Sequence, residues 1–394
     1  MIEQIGCAGS IGRGAGRVAG WAAIAGLCLA AETGLAALGV PVWQDSGVAY
    51  FLDRNPRAPL AVHVVRIDRS QKDLEFYTTL GGDGQIGMAV LSQQVQFVKP
   101  QCGQPVAAIN GDYFNLERPF VGDPMNLQIL HGGELVSAPG EDRAFFCLDA
   151  KGQPHITNAL DKFTMTWPDG KTYPLGLNQI PDTGQAVLFT TAAGPTTRVE
   201  GIDLILERDV NTPWLPLKIG QTLSARVRQV NPRGYSKITP ETMVLSLSPK
   251  TTNQFPPLVA GMVVRISTAT VPDLSGTTLA IGGGPSLVRG GKARDPSEFP
   301  GYQMRHPRSA MGWNDKYYYF VQADGRQPRY SMGMSLLELA EYFVKLGCDQ
   351  AINLDGGGSC TTWLGGKTVN SPSQGRERPS ANALVVVRKP KPAS

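Results

Sequence analysis

The sequence predicts an α+β fold: packed, mostly antiparallel β-sheets with a few flanking helices and a small β-rich insertion. Three observations lead there. Glycine (46) and proline (30) make up about a fifth of the 394 residues without a collagen-like period, a composition of many turns. Short apolar runs alternate with period two between Gly-Gly, Pro-Gly and Asp-Gly turns. One segment, residues 335–347, carries the 3.6-residue periodicity of a strong amphipathic helix.

In chain order, residues 1–40 read as a signal peptide or signal anchor. Arg13 and Arg17 precede an uncharged stretch, 18–31, that Glu32 closes, followed by small residues around Ala37-Leu38-Gly39. Fourteen apolar residues are short for a membrane span. Residues 41–195 form the first part of the main domain. Its alternation at Val62, Val64, Arg66 and Asp68, then Leu74 and Phe76, leads to a turn at Gly81-Gly82-Asp83-Gly84. A buried strand at 106–110 opens into Gly111-Asp112-Tyr113-Phe114. Residues 196–275 read as a β-rich insertion with strands at 202–207, 222–230, 243–247 and 262–267 and almost no helix signal. Residues 276–390 resume the main domain and hold the main motif cluster. A strand at 316–321 runs into Asp324-Gly325-Arg326. Ser335 and Glu338 then spell a capping box. Leu336, Leu339, Ala340 and Phe343 share a face, Glu341 stands one turn before Lys345, and Gly347 ends the helix. A strand at 351–355, the loop Gly356-Gly357-Gly358-Ser359 and a strand at 361–364 follow.

Composition bounds the function. A hydrophobic fraction of 42% supports a well-buried core, and a net charge of +4, dispersed along the chain, argues against a nucleic-acid partner. No heptad array or long repeat appears. Four scattered histidines argue against a His-rich metal centre; no metal or cofactor is expected, with the clustered aspartates leaving a metal site open. Past residue 40 four cysteines remain, Cys102, Cys147, Cys348 and Cys360, which in an exported protein permit two disulfides in three connectivities. Cys348 and Cys360 flank the glycine loop and are the favoured pair; four small buried thiols are the other reading.

Alternation across residues 351–355 places Ile352 and Leu354 on one face, Asn353 and Asp355 on the other. An amide two residues before a carboxylate, where a strand enters a glycine loop, points both groups at a strand-end cleft. Ala108-Ile109-Asn110-Gly111-Asp112 repeats the arrangement. Such residues also serve as plain turn formers. Triple glycines occur at 282–284 and 356–358, where successive amides can form an anion-binding nest or simply permit a tight turn. Arg308, and the pair Arg376 and Arg378, lie in proline-bearing loops suited to bidentate phosphate recognition, against the ordinary reading of solvated surface charge.

Together these residues resemble the phosphodiester glycosidase family, whose members include bacterial exported proteins associated with exopolysaccharide. The matching stretches, in order over residues 100–388, are Asn110-Gly-Asp-Tyr-Phe114, Ile281-Gly-Gly-Gly-Pro285, Pro307-Arg-Ser309, Asp324-Gly-Arg326, Gly333-Met-Ser-Leu336, Asn353-Leu-Asp-Gly-Gly-Gly-Ser359, Val369-Asn370 and Glu377-Arg-Pro379. Asp112 and Ser309 stand where relatives often carry Gly and Thr. The resemblance implies hydrolysis of a sugar 1-phosphodiester at the sugar–oxygen bond; the N-terminal segment, read as an export signal, implies that it acts outside the cytosol, in the periplasm or beyond the cell. The substrate class is then a sugar-1-phosphodiester or phosphate-containing glycan, and the only membrane association is through the N-terminal segment.

That reaction has physical requirements these residues can meet. The leaving group is a phosphate monoester, already a weak base, so the site must chiefly stabilise phosphate charge and aim a carboxylate at the anomeric carbon. Asp355 is the first choice for that carboxylate, with Asp112, Asp324 and Glu377 as further catalytic candidates. Arg308, Arg376, Arg378, Gly284, the amides of Gly356, Gly357 and Gly358, and Ser359 are the candidate phosphate-binding groups. Asn110 and Asn353 are candidates for sugar hydroxyls, and His306 either protonates a phosphate oxygen or sits idle on a loop. Two other classes stay open: a metal-dependent phosphodiesterase breaking the P–O bond, and a non-catalytic envelope glycan-binding protein. The latter would want an aromatic platform, and the tryptophans, such as Trp313 and Trp363, do not cluster in sequence.

Overall fold

A computed structural model describes residues 38–181, 185–210, 213–248, 255–298 and 304–390. The expected signal segment therefore lies, but for its last three residues, outside the described residues. Among those described, no helix is long and apolar enough to cross a membrane.

Antiparallel sheets dominate, as expected. An eight-stranded sheet runs in the order Trp43–Asp45, Val48–Asn55, Leu60–Asp68, Tyr317–Ala323, Arg308–Trp313, Gln350–Asn353, Ser286–Arg289, Lys292–Ala293. Chain halves more than 200 residues apart thus pair at its centre, where Val62 stands opposite Ala323 and Asp68 opposite Tyr317. One face carries Val65, Ile67, Met311, Phe320 and Ile352, which pack on two five-stranded sheets through Phe76, Ile109, Phe146, Ile281 and Leu384. Period-two alternation turns Val62, Val64, Ala310 and Val321 to the other face, where they meet the helix Leu336–Lys345.

That helix forms for the reasons its sequence offers. Ser335 Oγ accepts the Glu338 N–H (3.1 Å) while the Glu338 carboxylate accepts the Ser335 N–H (2.8 Å). Leu336, Leu339, Ala340 and Phe343 are buried, and Gly347 (φ +73°) takes the left-handed turn. The Cys348 N–H then reaches Phe343 O and the Gly347 N–H reaches Val344 O, a Schellman ending. Glu341 and Lys345, though one turn apart, form no ion pair among the described residues, and Glu338 instead binds Arg305. Helices are fewer than expected: the only other α-helical segment among the described residues is the single turn Leu91–Gln94.

A closed seven-stranded barrel accounts for the β-rich middle of the chain. Its strands Ile202–Arg208, Thr222–Asn231, Met243–Leu247 and Val263–Val271 coincide closely with the expected ones. It also recruits Leu160–Thr166, Thr172–Leu177 and Ala186–Phe189, which precede residue 196.

The expected Cys348–Cys360 disulfide is absent: Cys102, Cys147, Cys348 and Cys360 are all free thiols. Twelve residues of separation say nothing about facing. Cys348 packs into the core beneath the helix, whereas Cys360 lies buried at the strand-end site, its thiol beside Ser309.

Candidate active site

Five strand ends converge at one edge of the sandwich. Strand Arg308–Trp313 begins there, Tyr317–Ala323 and Gln350–Asn353 end there, and Arg308 pairs with Ala323 while Ala310 pairs with Asn353. From the facing sheets come the ends of Gln104–Asn110 and Leu279–Gly282. The Asp355 N–H donates to Gly111 O (2.8 Å), closing the gap between the two sheets directly beneath the site.

Asp355 is 8% exposed. Its Oδ2 accepts from Ser359 Oγ and from the Arg378 guanidinium (3.2 Å), and Arg378 also donates to Ser359 Oγ. Burial pushes the Asp355 carboxyl above its ordinary range, while Ser359 and Arg378 hold it back toward the ionised form. Arg378, 38% exposed, lies over the Phe114 ring at 5.7 Å, and its buried Nε has no hydrogen-bond partner.

The triple-glycine loop admits two arginines. Gly357 has φ +63°, and a Cβ there would meet the Arg326 guanidinium at 3.1 Å; one on Gly358 would meet Arg378 Cδ at 3.2 Å. Two of its three amides are already engaged. The Gly357 N–H donates to Pro307 O (2.9 Å), and the Gly356 N–H is turned to the Asp355 carboxylate. Arg326 is exposed, in no ion pair among the described residues, and its own backbone is left-handed at φ +61°, which is costly for a non-glycine residue. In the sequence it stands within the motif Asp324-Gly325-Arg326, with no local pattern to mark a role for it.

Asp112 has no exposed surface. Its Oδ1 accepts the Tyr113 N–H (2.8 Å), and its Oδ2 lacks a hydrogen-bond partner, lying where a Cβ on Gly282 would stand 2.1 Å away. Burial pushes its pKa far up, and the charge of Asp355 adds to that; Arg143, over the Tyr113 ring at 5.6 Å, pulls it down. Tyr113 likewise stands in the sequence only as part of a motif.

The other candidates divide clearly. Asn353 Nδ2 donates to the Tyr113 hydroxyl (2.9 Å) and to Gly284 O (3.0 Å), so a buried amide and two half-buried residues form one polar unit. Asn110 is fully buried: it donates to Asp355 O (2.8 Å) and accepts from Ser309 Oγ (2.7 Å) and the Thr361 N–H (3.1 Å), which fixes the backbone of Asp355. Arg308 is 5% exposed and donates to Met334 O and Met304 O, holding the loop around His306. His306 is half-buried, and burial followed by the charges of Arg308 and Arg326 holds its pKa below the usual histidine range. Asp324 is buried against His63 Nε2 (2.8 Å), with further bonds from Gln322, Asn370 and the Ser371 N–H. Although burial opposes it, His63 keeps this carboxyl below its ordinary range. Glu377 is turned away to Ser92 and Thr368, and Arg376 is exposed on the rim. Among the described residues no three His, Cys, Asp or Glu side chains are grouped to hold a metal ion.

A separate cleft of about 620 Å³ sits at the far end of strand Arg308–Trp313, lined by Asp149, His155, Asp273 and Trp313. Its two carboxylates are already engaged, Asp149 with His155 and Asp273 with Ser275, and it holds none of the motif residues.

Comparison with known proteins bears out the resemblance read from the motifs: residues 221–387 match the phosphodiester glycosidase family. An uncharacterised prophage-derived protein of Bacillus subtilis is 37% identical over 84 residues, which is 21% of this chain and only 13% of that protein. A hypothetical protein from Synechocystis has a similar structure (TM-score 0.66, 20% identity) over 87% of this chain and 62% of its own. An "exported protein" of Burkholderia pseudomallei does so too (TM-score 0.62, 20% identity), over 83% and 74%. At these identities the two structural likenesses establish the fold.

Proposed function

We propose, from the premise that residues 221–387 match the phosphodiester glycosidase family, that this protein is an exported hydrolase acting on a sugar 1-phosphodiester. In this reading the bond between the anomeric carbon and oxygen breaks, and the oxygen leaves with the phosphate. The observation that carries the reading is Asp355: an almost buried carboxyl in contact with Arg378 and Ser359, which favour its ionised form against burial, at a rim that also presents Arg326. The export reading rests on residues 1–40, and the name of the Burkholderia protein agrees with it.

Two carboxyls in reach of one another do not ionise together cheaply, and their surroundings separate them. Burial favours the protonated form of Asp112 more strongly than that of Asp355, which Ser359 and Arg378 draw toward ionisation; in this reading Asp355 is the charged member and faces the anomeric carbon as nucleophile or as base for water. A phosphate arriving beside Asp355 would be repelled by it. Arg378 answers this by touching the carboxylate through one nitrogen while its remaining donors, with those of Arg326, take the phosphate oxygens. Tyr113, Asn353 and Gly284 form the floor beneath the sugar, and His306, held neutral, stands by the phosphate as a hydrogen-bond donor. Asn110, Arg308 and Asp324 position the backbone that presents these groups.

The test is hydrolysis of a panel of sugar-1-phosphodiesters in ¹⁸O-labelled water, read promptly before the free sugar exchanges its anomeric oxygen. Label is expected in the anomeric hydroxyl and none in phosphate. Label in the phosphate means P–O cleavage, and the glycosidase reading falls.

A further inference from the structure

Beyond Arg326 and Arg378, which suffice for the single charge of one phosphodiester, arginines continue along the rim. Arg326 and Arg329 lie on the segment 324–331, which is tied to the 370–378 segment by Gln327 Nε2 donating to Ser371 O (2.9 Å) and Ser371 Oγ donating to Gln327 Oε1 (3.0 Å). On its other side the same segment is tied to the turn after strand Val48–Asn55. There the Met332 N–H donates to Pro59 O (2.9 Å) and the Ala61 N–H to Ser331 Oγ (3.1 Å). That turn and strand end bring Arg54 and Arg57. Arg54 stacks over Tyr330 at 5.2 Å and donates to its hydroxyl (3.5 Å).

Arg54, Arg57 and Arg329 are exposed, and none is in an ion pair among the described residues. No nearby acid forms an ion pair with them among the described residues: Asp324 is buried against His63, Asp53 is turned to the Tyr342 hydroxyl (3.1 Å), and Glu338 is paired with Arg305. Neighbouring unpaired cations repel, an arrangement relieved when a partner brings matching negative charge.

We propose that the substrate is a polyanionic glycan chain, with phosphate groups repeating along it, and that Arg54, Arg57 and Arg329 bind the anionic groups beyond the bond being cleaved. The proposal rests on the phosphodiester glycosidase reading of the same site. A glycan is favoured over a nucleic acid because the track leads straight out of a sugar-phosphate site.

The experiment compares a poly(glycosyl phosphate) of known length with its single-repeat phosphodiester, using the full protein and its Arg54→Gln/Arg57→Gln/Arg329→Gln variant. For the polymer, KM is expected to rise at least fivefold in the variant with kcat unchanged, while single-repeat kinetics stay the same. The slope of log KM against log salt is expected to fall by about 2, at roughly 0.7 per released counterion for three contacts on a flexible polyanion. An unchanged polymer KM, or an equal loss on the single repeat, overturns the proposal. If the wild type hydrolyses neither substrate, the glycosidase reading has failed. Calorimetric binding of the polymer to the two proteins then decides the track by itself, with loss of binding in the variant supporting it and equal binding overturning it. Single-stranded DNA of matched charge competing as strongly as the glycan also overturns the proposal as stated.

Discussion

Asp355 and Arg308 look alike in sequence, each a charged residue beside a motif glycine or proline, yet the structure gives them different work. Asp355 keeps a small exposed face and an arginine partner, so Asp355→Asn is expected to lower kcat at least 100-fold on any phosphodiester substrate the wild type cleaves. The unfolding midpoint in denaturant should hardly move, because the amide keeps the size and removes a charge that burial opposes. A variant retaining wild-type kcat would remove Asp355 from the mechanism. Arg308 is buried on the carbonyls of Met334 and Met304, so Arg308→Lys should act mainly on stability, by about 1–3 kcal/mol in a denaturant titration, since lysine cannot supply the planar fork. A shift in KM for the single-repeat substrate with full stability would place Arg308 at the phosphate after all. Sequence identified both residues as candidates; it had no means to separate them, because their partners lie on loops 4 to 26 residues away whose course the local pattern does not fix, and the Asp355 backbone is anchored to Gly111, far off in the chain.

The helix Leu336–Lys345 was readable end to end because its determinants are local: a capping serine, a glutamate three residues on, an apolar stripe and a terminal glycine. Ser335→Ala is expected to cost about 1 kcal/mol, read as a lower denaturant midpoint at unchanged m-value. No change would mean that the Arg305–Glu338 pair holds the helix start without the cap. The barrel strands between residues 202 and 271 were equally plain from alternation. Barrel closure was not legible. It depends on Leu160–Thr166 pairing with Val263–Val271 and on Thr172–Leu177 lying parallel to Ala186–Phe189, and neither leaves a local sequence mark. Arg326 hid for a related reason: no local rule announces a left-handed arginine, and its purpose shows only where Gly357 makes room.

Across the described residues, carboxyls held above their ordinary range are balanced by others held below it, and the two sets act in different pH windows. Burial raises Asp112, Asp355 and Asp123, the last to about 7, whereas Asp324 is lowered beside His63. A raised carboxyl binds its proton more tightly folded than unfolded, so its contribution falls as pH climbs from about 4, the unfolded value, through the folded one. Asp324, Glu75, Glu338, Asp149, Asp273 and Asp295 have the opposite sign, but their effect is confined to pH below about 4, and His306, held low by burial, opposes with a single proton. The guanidinium midpoint is therefore expected to be higher at pH 5 than at pH 8, and Asp123→Asn should flatten the difference. A midpoint that rises with pH across this range would refute it. The barrel holds a consequence of another kind. Leu160 and Val271 face each other across one ladder, so the chain leaves the main sheets and returns to them at a single doorway. Topologically the whole barrel is one long loop, and a lineage could lengthen, trade or discard it without rewiring the strands that form the site. Packing sets the condition: Leu127, Ile129, Leu135 and Phe145 share the barrel's apolar core, so a descendant without it must turn those four positions polar or find them another cover.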